Sequence, residues 1–243
     1  MKLNKLITLL IIVVAFSFAF ISCKREAPLT ASIETGINTK ATVQVYNATV
    51  KSTRNFLYVD GNKISGSTFA FGNVFPATAY AFKVDAGSRT FLIKDTLGST
   101  TQPPLTFAET MDAGKSYTIF TYDTLNSIKQ VTVSNDIEIP SDTTSRLRFA
   151  NFIFNTTPVP AVDVYSSVFG NTKVFTNVAT ASVTGFIPYP SGKRDTLSVY
   201  ATGTTSPLII RLISTGVTPT RSYTTVYSGS YRATKSFALF NTY

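Results

Sequence analysis

Val43 and Val45 alternate with Thr42 and Gln44 ahead of Tyr46 and Asn47, the period-two pattern of a strand with one buried face. Similar runs recur over 56–60, 80–84, 90–94, 116–122 and 128–133. They are separated by turn signals at Asp60-Gly61-Asn62, Asp85-Ala86-Gly87, Gln102-Pro103-Pro104 and Asp112-Ala113-Gly114. No helical period intervenes. Short strands at this spacing predict an all-β fold, a sandwich of antiparallel sheets with Greek-key connections.

The second half of the chain repeats the first. Asn47 corresponds to Asn151, Asn73-Val74 to Asn177-Val178, Val59 to Val164, Gly87 to Gly192, and Ser116-Tyr117-Thr118 to Ser222-Tyr223-Thr224, with a nearly constant displacement. A period this long implies duplication of a whole domain rather than a solenoid. The alternation breaks over 135–144, where Asp136, Glu138, Pro140 and Asp142 cluster. A first repeat over 41–134, a linker over 135–144 and a second repeat over 145–243 are therefore expected.

A different pattern precedes these repeats. Lys2 and Lys5 lead into an apolar run from Leu6 to Ile21, which ends on Ser22-Cys23. Charge, apolar run and small residue in that order predict a signal peptide over 1–22. Phe20-Ile21-Ser22-Cys23 resembles a lipobox, in which the cysteine carries the lipid. Cys23 is the only cysteine of the chain, so no intramolecular disulfide is available. Residues 23–40 read as a lipidated tether with a reach of roughly 20–25 Å. The expected partner at this end is a membrane, held through the lipid on Cys23, and the expected location is the cell envelope, at the outer membrane.

Composition narrows the chemistry. Charged residues make up 14% of the chain, while 19 Phe and 12 Tyr accompany abundant Thr, Ser and Val, which is sheet composition. The net charge of +9 is spread over single lysines and arginines, without the clustering of a nucleic-acid footprint, so no nucleic-acid partner is expected. There is no histidine. That excludes Ser-His-Asp and Cys-His catalysis and ordinary zinc sites. No Asp-x-Asp-x-Asp calcium loop occurs. Neither a metal nor a cofactor is expected, and no catalytic residue is assigned.

Arg146-Leu147-Arg148-Phe149-Ala150-Asn151, Pro160-Ala161-Val162-Asp163-Val164-Tyr165 and Gly114-Lys115-Ser116-Tyr117-Thr118 together resemble the family catalogued as domain of unknown function 4397. The resemblance covers nearly all of the chain beyond the tether, through two copies. It implies exported, often lipidated bacterial proteins common in the Bacteroidota, built from immunoglobulin-like sandwiches, and it implies no catalytic residues.

Three residues are candidates for ligand contact. Asp163 alternates with Val162 and Val164 and is expected on the solvent face of a strand. Tyr58 and Tyr227 are expected outward if Val59 and Val226 point inward. The sequence thus predicts two tandem immunoglobulin-like antiparallel sandwiches after a cleaved lipoprotein signal peptide. Their expected role is a non-catalytic structural or interaction module of the envelope whose ligand is unknown, with an envelope protein or a glycan as partner. The alternative is a carbohydrate-binding or adhesive surface lipoprotein associated with nutrient uptake.

Overall fold

A computed structural model describes residues 39–213 and 215–242. Cys23, the signal peptide and nearly all of the tether lie outside the described residues. The described residues form eighteen strands. The first nine are β1 (Lys40–Asn47), β2 (Asn55–Val59), β3 (Asn62–Lys63), β4 (Val74–Phe75), β5 (Phe82–Asp85), β6 (Gly87–Asp95), β7 (Leu105–Met111), β8 (Ser116–Tyr122) and β9 (Lys129–Ser134). The next nine are β10 (Ser145–Phe154), β11 (Val162–Ser166), β12 (Thr172–Val178), β13 (Ser182–Val183), β14 (Ile187–Tyr189), β15 (Asp195–Ala201), β16 (Pro207–Ile213), β17 (Ser222–Ser230) and β18 (Lys235–Asn241).

The strands form four sheets with the same connectivity in each half. One sheet runs β4-β1-β8-β9 with β5 also on β1, and its counterpart runs β13-β10-β17-β18 with β14 also on β10. The other two run β3-β2-β6-β7 and β12-β11-β15-β16. The fold is all-β and makes two sandwich-like halves, as the alternation predicted. It departs from a purely antiparallel sandwich at one place in each half: β1 pairs in parallel with β8, and β10 in parallel with β17. The chain also forms β7, a strand not among the predicted runs.

Three apolar clusters give the order of the layers. Val43, Val45 and Ile119 meet Leu57, Val59, Phe91 and Ile93 inside the first half. Leu147, Phe149 and Tyr227 meet Val162, Val164, Leu197 and Val199 inside the second. The third cluster joins the halves: Tyr46 and Phe120 from β1 and β8 pack on Ala150, Phe152, Val226 and Phe240 from β10, β17 and β18. The β1 and β10 sheets are therefore inner layers, covered on both faces, and the β2 and β11 sheets are outer layers with one free face each.

This burial explains the residue pattern of the inner strands. β10 reads Ser-Arg-Leu-Arg-Phe-Ala-Asn-Phe-Ile-Phe, and all but two of its ten residues are buried. Strands covered on both faces lose the alternation that marks a half-exposed sheet. Ring contacts add directional attraction where the halves meet. Phe120 and Phe152 stack at 4.8 Å between centroids, and Tyr46 and Phe240 at 5.4 Å.

A polar link crosses the same boundary. Arg148 on β10 donates from Nε to Thr224 Oγ1 at 2.8 Å, and from Nη2 to Asn135 Oδ1 at 2.7 Å and Thr118 Oγ1 at 3.0 Å. It is 1% exposed. Its guanidinium also lies 4.7 Å from the ring of Phe186. Burial pulls its pKa down to about 9, against a smaller opposing pull from Asp136.

The tyrosine shared by the two Ser-Tyr-Thr motifs is structural. The Tyr117 hydroxyl donates to Asp112 Oδ2 and accepts from the Asp112 amide, while the Tyr223 hydroxyl accepts from the Thr218 amide at 3.0 Å. Each ties a strand start to the backbone five residues upstream, a corner device of β-sandwiches. Asn47 and Asn151, the first matched pair of the repeat, are likewise fully buried: Asn47 Oδ1 accepts from the Thr49 amide, and Asn151 Nδ2 donates to the Val178 carbonyl at the end of β12.

Candidate functional site

The free face of the first outer sheet is built from β2, β3 and β6. On β2 the side chains of Leu57 and Val59 enter the core, which turns Phe56 and Tyr58 outward. Register places Lys63 opposite Tyr58 across β3, and Lys94 opposite Phe56 across β6. Each lysine then reaches diagonally. Lys63 Nζ sits 4.3 Å from the Phe56 centroid, and Lys94 Nζ sits 4.8 Å from the Tyr58 centroid. An exposed cation–π contact of this kind is worth about 0.5–1 kcal/mol, little enough for a ligand to displace it.

A groove of about 430 Å³ runs beside these rings, walled by the segment 95–104, including Asp95, Leu97, Thr100, Gln102 and Pro104. Asp95 organises that wall. Its carboxylate accepts from Arg54 Nε and Nη2, both at 3.2 Å, from the Leu97 amide at 3.0 Å and from Thr100 Oγ1 at 2.9 Å. The Arg54 hydrogen bonds come first among the causes that hold its pKa down to about 2. Gln102 anchors the far end by donating to the buried Asn55 Oδ1 at 2.7 Å. The wall is thus held by the protein itself, and the rings and ammonium groups facing it are available.

Of the residues singled out from sequence, Tyr58 is in this groove and faces outward as expected. Tyr227 does not face outward. It is fully buried in the core of the second half, while its neighbour Val226 is buried in the cluster between the halves. The expectation fails because β17 belongs to an inner sheet, where both parities are covered. The Tyr227 hydroxyl has no hydrogen-bond partner among the described residues, and burial raises its pKa.

Asp163 also differs from its expected exposed state. It does alternate out of the core, yet it is 1% exposed. The Asn177 amide donates to Oδ1 at 2.8 Å, Thr202 Oγ1 lies at 3.3 Å, and Lys173 Nζ lies 2.9 Å from Oδ2. Asn177 has φ of +51°, a left-handed conformation that asparagine tolerates, at an irregularity in the β11–β12 pairing. The irregular backbone of β12 folds over the carboxylate. Burial opposes its charge, but the Asn177 amide and the Lys173 ammonium outweigh that, and the carboxyl titrates below its usual range. Its position is structural.

Sequence reasoning missed Phe56, Lys63 and Lys94. Phe56 was legible as the residue two before Tyr58 on the same strand face. The lysines were not, because their approach depends on the register of β3 and β6. Two of the larger clefts, about 690 and 640 Å³, lie at opposite ends of the boundary between the halves, around Tyr80 and Ile139 and around Phe71 and Phe154. Neither places a cation over a ring. Among the described residues, no group of three or more His, Cys, Asp or Glu is placed to hold a metal ion.

The fold and this face describe a β-sandwich protein with an aromatic and cationic surface groove. Residues 41–159, from β1 through the whole of β10, match the model of the family described as Domain of unknown function (DUF4397). No curated protein matches the chain.

Among solved structures, a family CBM26 carbohydrate-binding module from Eubacterium rectale Amy13K, determined with maltoheptaose, aligns over 82% of this chain and 96% of its own at 12% identity and a TM-score of 0.26. A streptococcal virulence factor described by its alpha-glucan binding aligns over 80% and 95% at 10% identity and a TM-score of 0.24. A putative cell adhesion protein from Bacteroides fragilis aligns over 83% and 97% at 10% identity and a TM-score of 0.22. At TM-scores of this size the likenesses say nothing about the ligand of this chain.

Proposed function

We propose that the protein is a non-catalytic binding module of the cell envelope, tethered by a lipid on Cys23, that engages a glycan through the free face of β2 and β6. The observation that carries this reading is the outward pair Phe56 and Tyr58 beside a groove whose wall is fixed by Asp95 and Gln102. Aromatic faces held on a rigid sheet present apolar area at low entropic cost, and the apolar C–H face of a sugar ring stacks on such surfaces. The four layers supply rigidity, and residues 23–40 set the module off from the membrane. A glycan array probed with the soluble fragment 24–243 tests the reading. Binding that is lost in Tyr58→Ala is expected, and a flat response over many polysaccharides sinks it. The anchor has a separate test: Cys23→Ser abolishes metabolic labelling by a fatty-acid analogue, and persisting label refutes the lipid assignment.

A second reading, a protein-docking role, is favoured by the edge strand β16, where Ile210 and Leu212 are 55% and 58% exposed. Unpaired edges bearing apolar side chains invite added strands. An envelope partner captured by the wild-type protein and lost in Ile210→Lys, together with a flat glycan array, selects this reading.

A further inference from the structure

Each ring of the outward pair carries an ammonium group, and neither Lys63 nor Lys94 has a carboxylate partner among the described residues. Three other basic side chains on or beside the outer sheets do have one: Arg54 pairs with Asp95, Arg89 with Asp60 and Lys173 with Asp163. Asp95 is the acid nearest in sequence to Lys94, but Arg54, Leu97 and Thr100 occupy both of its oxygens. The groove therefore carries the uncompensated charge of Lys94 in its lining, and that of Lys63 stands beside it over the Phe56 ring.

The second half supplies an internal comparison. Val59 and Val164 are matching core positions, so Tyr58 corresponds to Asp163 and Phe56 to Ala161. There the nearby ammonium, on Lys173, is neutralised by Asp163 at 2.9 Å. One copy of the fold has used the position to close an ion pair over a backbone irregularity. The other has left two rings and two unpaired cations open to solvent.

We propose that this groove is a subsite for an acidic glycan. A sugar ring would lie on Phe56 and Tyr58 while its carboxylate or sulfate is held by Lys63 and Lys94. This rests on the glycan reading given above and narrows it to one ligand class. Rings alone favour any sugar face, and ammonium groups alone favour any polyanion; the two together select a saccharide that carries acid groups. An ammonium already on the ring is positioned to meet an acid substituent at the edge of a stacked sugar. Its stem is free to move because no carboxylate of the protein holds it.

The test is titration calorimetry of the soluble 24–243 protein with three probes: an oligogalacturonate, the same oligomer with its carboxyls methyl-esterified, and polyglutamate. Selective binding of the oligogalacturonate is expected, with about tenfold loss on esterification and about tenfold loss in each of Lys63→Met, Lys94→Met and Tyr58→Ala. Binding should also weaken as NaCl is raised. A sulfated oligosaccharide, added as a fourth probe, distinguishes sulfate from carboxylate as the preferred acid. Equal binding of the esterified oligomer overturns the acidic class while leaving the glycan reading intact. Equal binding of polyglutamate overturns the role of the sugar ring and points to an acidic protein partner. No binding of any acidic oligosaccharide overturns the proposal, and the glycan array then decides whether the broader reading survives. Unchanged unfolding midpoints in the three variants exclude misfolding as the cause of a loss.

Discussion

Replacing Phe152 with alanine removes a ring that is 1% exposed and that meets Phe120 at 4.8 Å and Tyr122 at 5.3 Å, both from the other half of the molecule. Burying a phenylalanine side chain contributes about 1.5–3 kcal/mol. The cavity left in a packed interior raises the total cost of a Phe→Ala change to about 3–5 kcal/mol. With a urea slope of about 2 kcal/mol per molar, the midpoint falls by about 1.5–2.5 M. The assay is urea unfolding followed by far-UV circular dichroism, with hydrogen exchange to locate the effect. Because the side chain sits between the inner sheets, protection is lost at Ile119 and Phe120 on β8 as well as at β10 and β17. A loss confined to the second half, or a midpoint shift below about 0.5 M, refutes the reasoning.

Two further outcomes follow from the buried charges. Arg148→Met is neutral or stabilising at pH 7, because it removes a buried cation with no carboxylate partner in its hydrogen-bonding shell. Thr118 still donates to Asn135 Oδ1, and Thr224 remains bonded to Thr242. A loss above about 2 kcal/mol in urea unfolding contradicts this. Asp95, Asp163 and Asp195 all titrate below the usual carboxylate range in the folded chain. For Asp95, hydrogen bonding from Arg54 leads. For Asp163 and Asp195, burial opposes the shift and hydrogen bonds outweigh it, those to Asp195 coming from Ser166, Tyr189, Val168 and Ser167. The unfolded chain therefore binds more protons as pH falls below about 4, so their stabilisation is complete above about pH 5 and is lost towards pH 2. Urea midpoints measured from pH 6 to pH 2.5 check this, and Asp195→Asn should flatten the dependence; an unchanged slope contradicts it.

The strands were legible where one face is wet and the other dry. On β2, Leu57 and Val59 alternate with Phe56 and Tyr58, and the outward position of Tyr58 followed from that alone. Parity carried no such information on β17, where Val226 and Tyr227 are both buried, because an inner sheet has no wet face. β7 escaped notice because Thr106, Ala108 and Glu109 dilute its apolar signal between two stretches read as turns. Asp163 was placed on the correct side of its strand, but its burial depends on Asn177 and Lys173, brought over it by an irregular pairing that local sequence does not encode. The role of Arg148 in joining the halves was equally out of reach, since two of its three hydrogen-bond partners, Thr118 and Asn135, come from outside the second half. The aromatic part of the groove could be read from the sequence, and its cationic part required the register of three strands.

The two halves form a single four-layer body in which their inner sheets cover each other. Expression of residues 143–243 alone tests this most directly. That fragment exposes Ala150, Phe152, Val226 and Phe240, which Tyr46 and Phe120 cover in the whole chain. The prediction is a fragment without a cooperative urea transition, or one far less stable than the full protein, that binds a hydrophobic dye. A fragment that unfolds cooperatively at the midpoint of the full chain, with no dye binding, contradicts it.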